Sequence, residues 1–274
     1  VIPAAFDYER VATVDEALAL LSEHGDDAKL MAGGHSLLPL MKLRLASPAV
    51  VIDIGRLRHL SYVRDGGDHL AIGALTRHRD VEIDPLVAQH VPLLGHVAGQ
   101  VGDPQVRHRG TIGGSIAHGD PASDLPAASL ALGASFKVVG PGGERTIAAA
   151  DFFEGFLETA LAPDEVLTEI VVPKATGAGW SFQKFNRRAQ DWAIVGVAAV
   201  RNGSTGIGLV NMGSTPLRAG AVEAAVASGA SAAEAAAHAA DGLDPPADLN
   251  ASADYRRHLA QVLVRRALQE SGLS

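Results

Sequence analysis

The chain has 274 residues, 47% of them hydrophobic, with 23 Lys and Arg against 31 Asp and Glu. That is enough apolar material for one large or two modest domains, and mild acidity without a basic block argues against nucleic acid or an anionic membrane as partner. The absence of cysteine excludes disulfides, a thiol nucleophile, thiolate zinc and any cysteine-ligated iron–sulfur cluster on this chain.

No apolar stretch is long enough to span a bilayer, and the opening VIPAAFDYERVATVDEAL lacks the charged-then-apolar layout of a secretory signal, so the chain is read as cytoplasmic. TVDEALALLSEHG carries Thr13 and Glu16 at capping-box spacing, apolar residues at Ala17, Leu18, Leu20 and Leu21, and Gly25 at the stop, which predicts an amphipathic helix. AKLM (28–31) reads as a short buried strand. It leads through Gly33 and Gly34 into SLLPLMKLRL, where Ser36 is placed to cap a helix that tolerates Pro39 in its first turn. AVVIDIG (49–55) and HLAIGALT (69–76) read as strands, and PLVAQHVPLLGHVAGQV (85–101) as one helix with an early proline. A second glycine loop, RGTIGGSIAHGDPASDLP (109–126), precedes a helical AASLALG and a hairpin around Pro141, Gly142 and Gly143. PKATGAG (173–179) reads as a linker, 181–213 as strands and a helix, and 221–240 and 253–271 as two helices. Two α+β domains are expected, 1–174 and 175–274.

A glycine pair frees the backbone to take positive φ and lets a ligand reach bare N–H groups. Each pair alone is better read as a tight turn, the commoner use of glycine. Together, the two can grip a diphosphate from both sides. Neither carries the lysine of a P-loop, and no G-x-G-x-x-G occurs beside them, so a dinucleotide here is not held in the Walker or Rossmann manner.

AGGHSLLPLMKLRLASP together with QVRHRGTIGGSIAHGDPASDLPAA resembles the FAD-binding medium subunits of the molybdenum hydroxylases, of the carbon monoxide dehydrogenase and xanthine dehydrogenase type. The resemblance extends over nearly the whole chain, with KFNRRAQDWAIVGVAAV and YRRHLAQVLVRRAL similar to the family's C-terminal flavoprotein domain. It implies an α+β fold: a two-part FAD-binding domain of the PCMH (vanillyl-alcohol oxidase-like) type, then a smaller α+β domain. It also implies that Ala32, Gly33, Gly34, His35, Ser36 and Leu37 wrap one side of the FAD diphosphate and Thr111, Ile112, Gly113, Gly114 and Ser115 the other, mainly through backbone donors. Asp124 matches the position whose carboxylate holds an FAD hydroxyl, and Val101, Leu161 and Lys184 fall where relatives flank or hydrogen-bond the flavin and adenine portions. Asp191 and Trp192 fall near the isoalloxazine edge, Trp192 being equally readable as core. Ser115 stands where many relatives carry Asn.

His35 in Gly-Gly-His-Ser also matches flavin oxidases of the vanillyl-alcohol and berberine-bridge type, in which that histidine can bond the flavin covalently. The rest of the chain does not resemble them, so His35 is read as a loop residue near the phosphates. His118 is the other histidine placed near the cofactor, with a backbone hydrogen bond as its plainer role. Arg107 and Arg109 flank the second loop, either offsetting phosphate charge or pairing with carboxylates. No metal site, catalytic triad or general base is expected on this chain. The implied partners are a molybdopterin-binding large subunit and a [2Fe-2S] small subunit in a dimer of heterotrimers, with noncovalent FAD handing electrons to an external acceptor. A free-standing flavin oxidase and a nonenzymatic nucleotide-binding or scaffold protein are the alternatives.

Overall fold

The computed structural model describes residues 2–274. The chain begins with a three-stranded parallel sheet in the order Asp7–Arg10, Val50–Asp53, Ala28–Met31. Helix Val14–His24 covers it, burying Ala17 and Leu21 against Ala28, Val50 and Ile52. Its start is fixed locally: Thr13 Oγ1 accepts from the Glu16 amide at 3.1 Å, while the Glu16 carboxylate accepts from the Ala12 amide at 2.6 Å, one residue before the position a capping box uses. Gly25, at φ 52°, ends it.

The central layer is a five-stranded antiparallel sheet in the order Val63–Asp65, His69–Gly73, Val166–Pro173, Ser135–Gly140, Gly143–Ala148. Alternate residues of its long strands, Leu70 and Ile72, Phe136 and Val138, Ile170 and Val172, enter one core with helices Pro92–Gly99, Ile112–His118 and Asp124–Ala131, as period-two patterning requires. A third sheet runs antiparallel in the order Gly179–Phe185, Val195–Asn202, Ser204–Val210, Leu217–Arg218. Phe182, Ala198 and Val200 on one face join the central core. Val195, Val197 and Ala199 on the other face pack against helices Gly220–Ala227, Ala232–Ala236 and Ala253–Glu270. Strand Ser204–Val210 lies directly on the fully buried helix Asp124–Ala131, because a Cβ at Gly206 or Gly208 would collide with the Ala131 or Ala127 carbonyl.

Several elements differ from the sequence expectation. The helix expected over 85–101 is two, Pro85–His90 and Pro92–Gly99, because Pro92 lacks the amide to continue the first and forces Val91 to φ −142°. Ser36 precedes helix Leu37–Leu43 in right-handed geometry and makes no side-chain cap bond. The second glycine pair sits inside the first turn of helix Ile112–His118, and the next helix begins at Asp124. Residues 181–213 hold only strands and connections, and 221–240 breaks at Gly229, whose φ is 92°. The stretch 173–179 is tied down: Lys174 and Ala175 donate to the Asp68 and His90 carbonyls, and Ala175 is buried. No helix among the described residues is long and apolar enough to cross a membrane.

Candidate functional site: a cleft between two glycine segments

A cleft of about 720 Å³ lies where the small parallel sheet, the central helices and the edge of the third sheet converge. Its first wall is the turn after strand Ala28–Met31. The amides of Gly33, Gly34, His35, Ser36 and Leu37 donate to no acceptor among the described residues. Gly34 takes φ 73°, a left-handed conformation that glycine adopts without strain and that turns the chain into helix Leu37–Leu43. The exposed His35 ring is held by Nδ1 against the Gly33 carbonyl at 3.0 Å.

The second segment touches the first. A Cβ on Gly33 would lie 2.9 Å from both the Arg109 carbonyl carbon and Gly110 Cα, so only glycine lets the two backbones meet. Beyond that contact Thr111 caps helix Ile112–His118, its Oγ1 accepting from the Gly114 amide at 3.1 Å. Here most donors are already engaged: Ile112 donates to Thr76 O at 3.0 Å, Gly113 to Ala74 O at 2.9 Å and Ser115 to Thr111 O at 3.1 Å, while the Thr111 amide has no acceptor among the described residues. The expectation that both segments offer a run of bare amides is corrected accordingly, because the second, apart from Thr111, is stitched to the end of strand His69–Gly73 and into its own helix. Gly113 permits that stitch, since a Cβ there would strike Ala74.

Deeper in the cleft, Asp124 opens its helix fully buried, with Oδ2 2.6 Å from Lys184 Nζ. Lys184 also donates to the Gln100 carbonyl at 3.0 Å, which ties the third sheet to the central helices at the cleft wall. Burial pushes the Asp124 carboxyl above the usual carboxylate range and Lys184 opposes it; Oδ1 has no partner. Half-buried Val101 and Leu161 supply apolar wall, joined by His118, Asp191 and Trp192.

Of the residues singled out in the sequence, Ala32 to Leu37, Val101, Thr111, Gly113, Gly114, Ser115, Asp124, Leu161 and Lys184 all line the cleft; Ile112 lies beneath it, fully buried. Neither Arg107 nor Arg109 does: the Arg107 guanidinium is 3.2 Å from Glu82, and the Arg109 carbonyl accepts from Arg77. Trp192 is 59% exposed, which overturns its reading as core. His78 lines the cleft and was not singled out. Nothing local marks it, because its neighbour Gly110 lies far along the chain.

The donor set suits a dinucleotide: free amides for a diphosphate, a buried carboxylate oxygen for a hydroxyl, and apolar walls for rings. Residues 4–175 match the family model described as the FAD binding domain in molybdopterin dehydrogenase, and residues 180–271 that of the CO dehydrogenase flavoprotein C-terminal domain. The fold is therefore that of an FAD-binding flavoprotein. The chain is 45% identical to the carbon monoxide dehydrogenase medium chain of Hydrogenophaga pseudoflava, over 97% of each chain, and 38% identical to that of Afipia carboxidovorans, over 98% of each. It superposes with a TM-score of 0.95 on a chain of the solved H. pseudoflava carbon monoxide dehydrogenase lacking the Mo-pyranopterin moiety, at 45% identity and covering 99% of this chain and 98% of that one. The chain belongs to the FAD-binding medium subunits of the molybdenum hydroxylases, of the carbon monoxide dehydrogenase type. That membership sets aside the free-standing oxidase and scaffold alternatives.

Proposed function

We propose that the chain is the FAD-carrying electron-transfer subunit of a molybdenum hydroxylase, working beside a molybdopterin-binding large subunit and a [2Fe-2S] small subunit in a cytoplasmic dimer of heterotrimers. The unit 1–174 carries the cofactor and 175–274 closes the cleft with Lys184, Asp191 and Trp192. One observation carries this reading: five consecutive unengaged amides in the same cleft as a buried carboxylate with a free oxygen.

Bound FAD supplies the redox chemistry. The Gly33–Leu37 amides bind the diphosphate, Asp124 accepts from a cofactor hydroxyl through Oδ1, and Lys184 holds Asp124 in place. Val101 and Leu161 exclude water from the rings. His35 forms no bond to the flavin, so the cofactor is noncovalent. With no cysteine on the chain, electrons enter from the small subunit's cluster and leave to an external acceptor. The test is anaerobic reduction of the co-purified complex by its substrate, followed near 450 nm, a wavelength roughly typical of an oxidised flavin. Bleaching is expected only when the cluster subunit is present; bleaching in its absence would overturn the proposed route.

A further inference from the structure

On the flank facing the free amides, the backbone donors of Ile112, Gly113, Gly114 and Ser115 are engaged within the protein and only the Thr111 amide is without an acceptor among the described residues, so an anion held from that side calls on side-chain donors as well. His78 stands there. Its amide donates to the Gly110 carbonyl at 3.0 Å, and its ring lies so close to Gly110 that a Cβ at that glycine would meet Cδ2 and Nε2 at 2.7 Å. The ring therefore abuts the point where Gly33 meets Gly110. Although only 5% exposed, His78 lines the cleft. Nδ1 is sealed in protein with no partner, which leaves Nε2 as the ring nitrogen able to reach a ligand. A buried N–H without an acceptor is strongly disfavoured, so the neutral ring carries its proton on Nε2. Burial, reinforced by His35 and by the Arg107 and Arg77 guanidinium groups, lowers the His78 pKa to about 4, and the ring is uncharged at neutral pH.

The geometry points to His78 as an uncharged hydrogen-bond donor, through Nε2, to the diphosphate of bound FAD, adding a donor on the second glycine segment's side, where most backbone amides are already engaged. This rests on the FAD reading above. The neutral form has a physical reason: with Arg77 and Arg107 already close by, another buried cation would be repelled, whereas a neutral N–H adds a directed bond without that penalty.

The test uses the complex purified with its partner subunits and stripped of flavin. His78→Phe keeps an aromatic ring of similar size and removes the donor; His78→Gln keeps an N–H donor. His78→Phe is expected to raise the Kd for FAD on the order of tenfold, as loss of one hydrogen bond to a charged group does, with His78→Gln within about threefold of wild type. The ³¹P resonances of bound FAD shift in the Phe variant while the flavin's visible spectrum does not. Equal Kd and equal ³¹P shifts in wild type and the Phe variant would overturn the assignment, as would a wild-type affinity that rises as pH falls from 8 to 5.5 while that of His78→Gln does not, because that marks a cationic ring. A folding defect is recognised by loss of complex assembly in the Phe variant, and the Gln variant then decides, its ³¹P shifts matching wild type if the donor assignment holds. Wild-type complex that takes up no FAD would remove the flavin reading itself, a separate result.

Discussion

Replacing Gly33 with alanine tests the contact that brings the two glycine segments together. The added Cβ would lie 2.9 Å from the Arg109 carbonyl carbon and from Gly110 Cα, both backbone atoms with no side-chain freedom to yield. The Arg109 carbonyl oxygen would be nearer still, so ordinary van der Waals separation requires a retreat of roughly 1 Å. If the segments hold their places, the overpacking costs about 1–3 kcal/mol of stability. If they part instead, the Gly33–Leu37 amides move away from the diphosphate. One weakened hydrogen bond to a charged group then lowers FAD affinity by roughly ten- to a hundredfold. Quenching of flavin fluorescence on titration into the stripped complex, with a thermal melt alongside, reads both effects. Gly220→Ala is the control, because a Cβ there meets nothing within 4 Å. A Gly33→Ala variant with unchanged affinity and unchanged melting would refute the claim that this contact shapes the site.

Lys184→Met leaves the buried Asp124 carboxylate without its partner and is expected to cost about 3–5 kcal/mol in denaturant unfolding, whereas adding Asp124→Asn restores most of that loss. His78 makes stability fall in acid. A base whose folded pKa is depressed contributes fully above its ordinary 6.5 and loses that contribution as pH falls through about 4, an effect of roughly 3 kcal/mol. Melting temperature against pH should therefore decline less steeply over that range in His78→Gln. Glu165, held below the usual glutamate range chiefly by Arg145, stabilises at neutral pH and loses that effect as pH falls below the ordinary glutamate value, so Glu165→Gln should show a smaller drop in melting temperature there.

What was legible in the sequence was local. The helix after Thr13 and the hairpin at Pro141–Gly143 are set by residues within a few positions of each other, and both are present. The first glycine turn was readable for the same reason, although Ser36 does not cap the helix after it. Strand Val166–Pro173 was missed. Its burial is near-continuous where a clean alternation would mark a strand, and its partners, His69–Gly73 and Ser135–Gly140, are distant in the chain. The same non-locality hid the difference between the two glycine segments, because the acceptors that engage Ile112 and Gly113 belong to Thr76 and Ala74. Arg107 looked like a phosphate partner beside its loop, yet Glu82, brought in by a separate helix, takes it.

A crystal structure of the FAD-loaded complex tests the central claim most directly, through the distances from the diphosphate oxygens to the amide nitrogens of Gly33 through Leu37. The account predicts several of them at about 2.7–3.2 Å, the range of a normal N–H···O bond, with Asp124 Oδ1 bound to a cofactor hydroxyl. A diphosphate lying elsewhere in the cleft, with those amides facing only water, would contradict it.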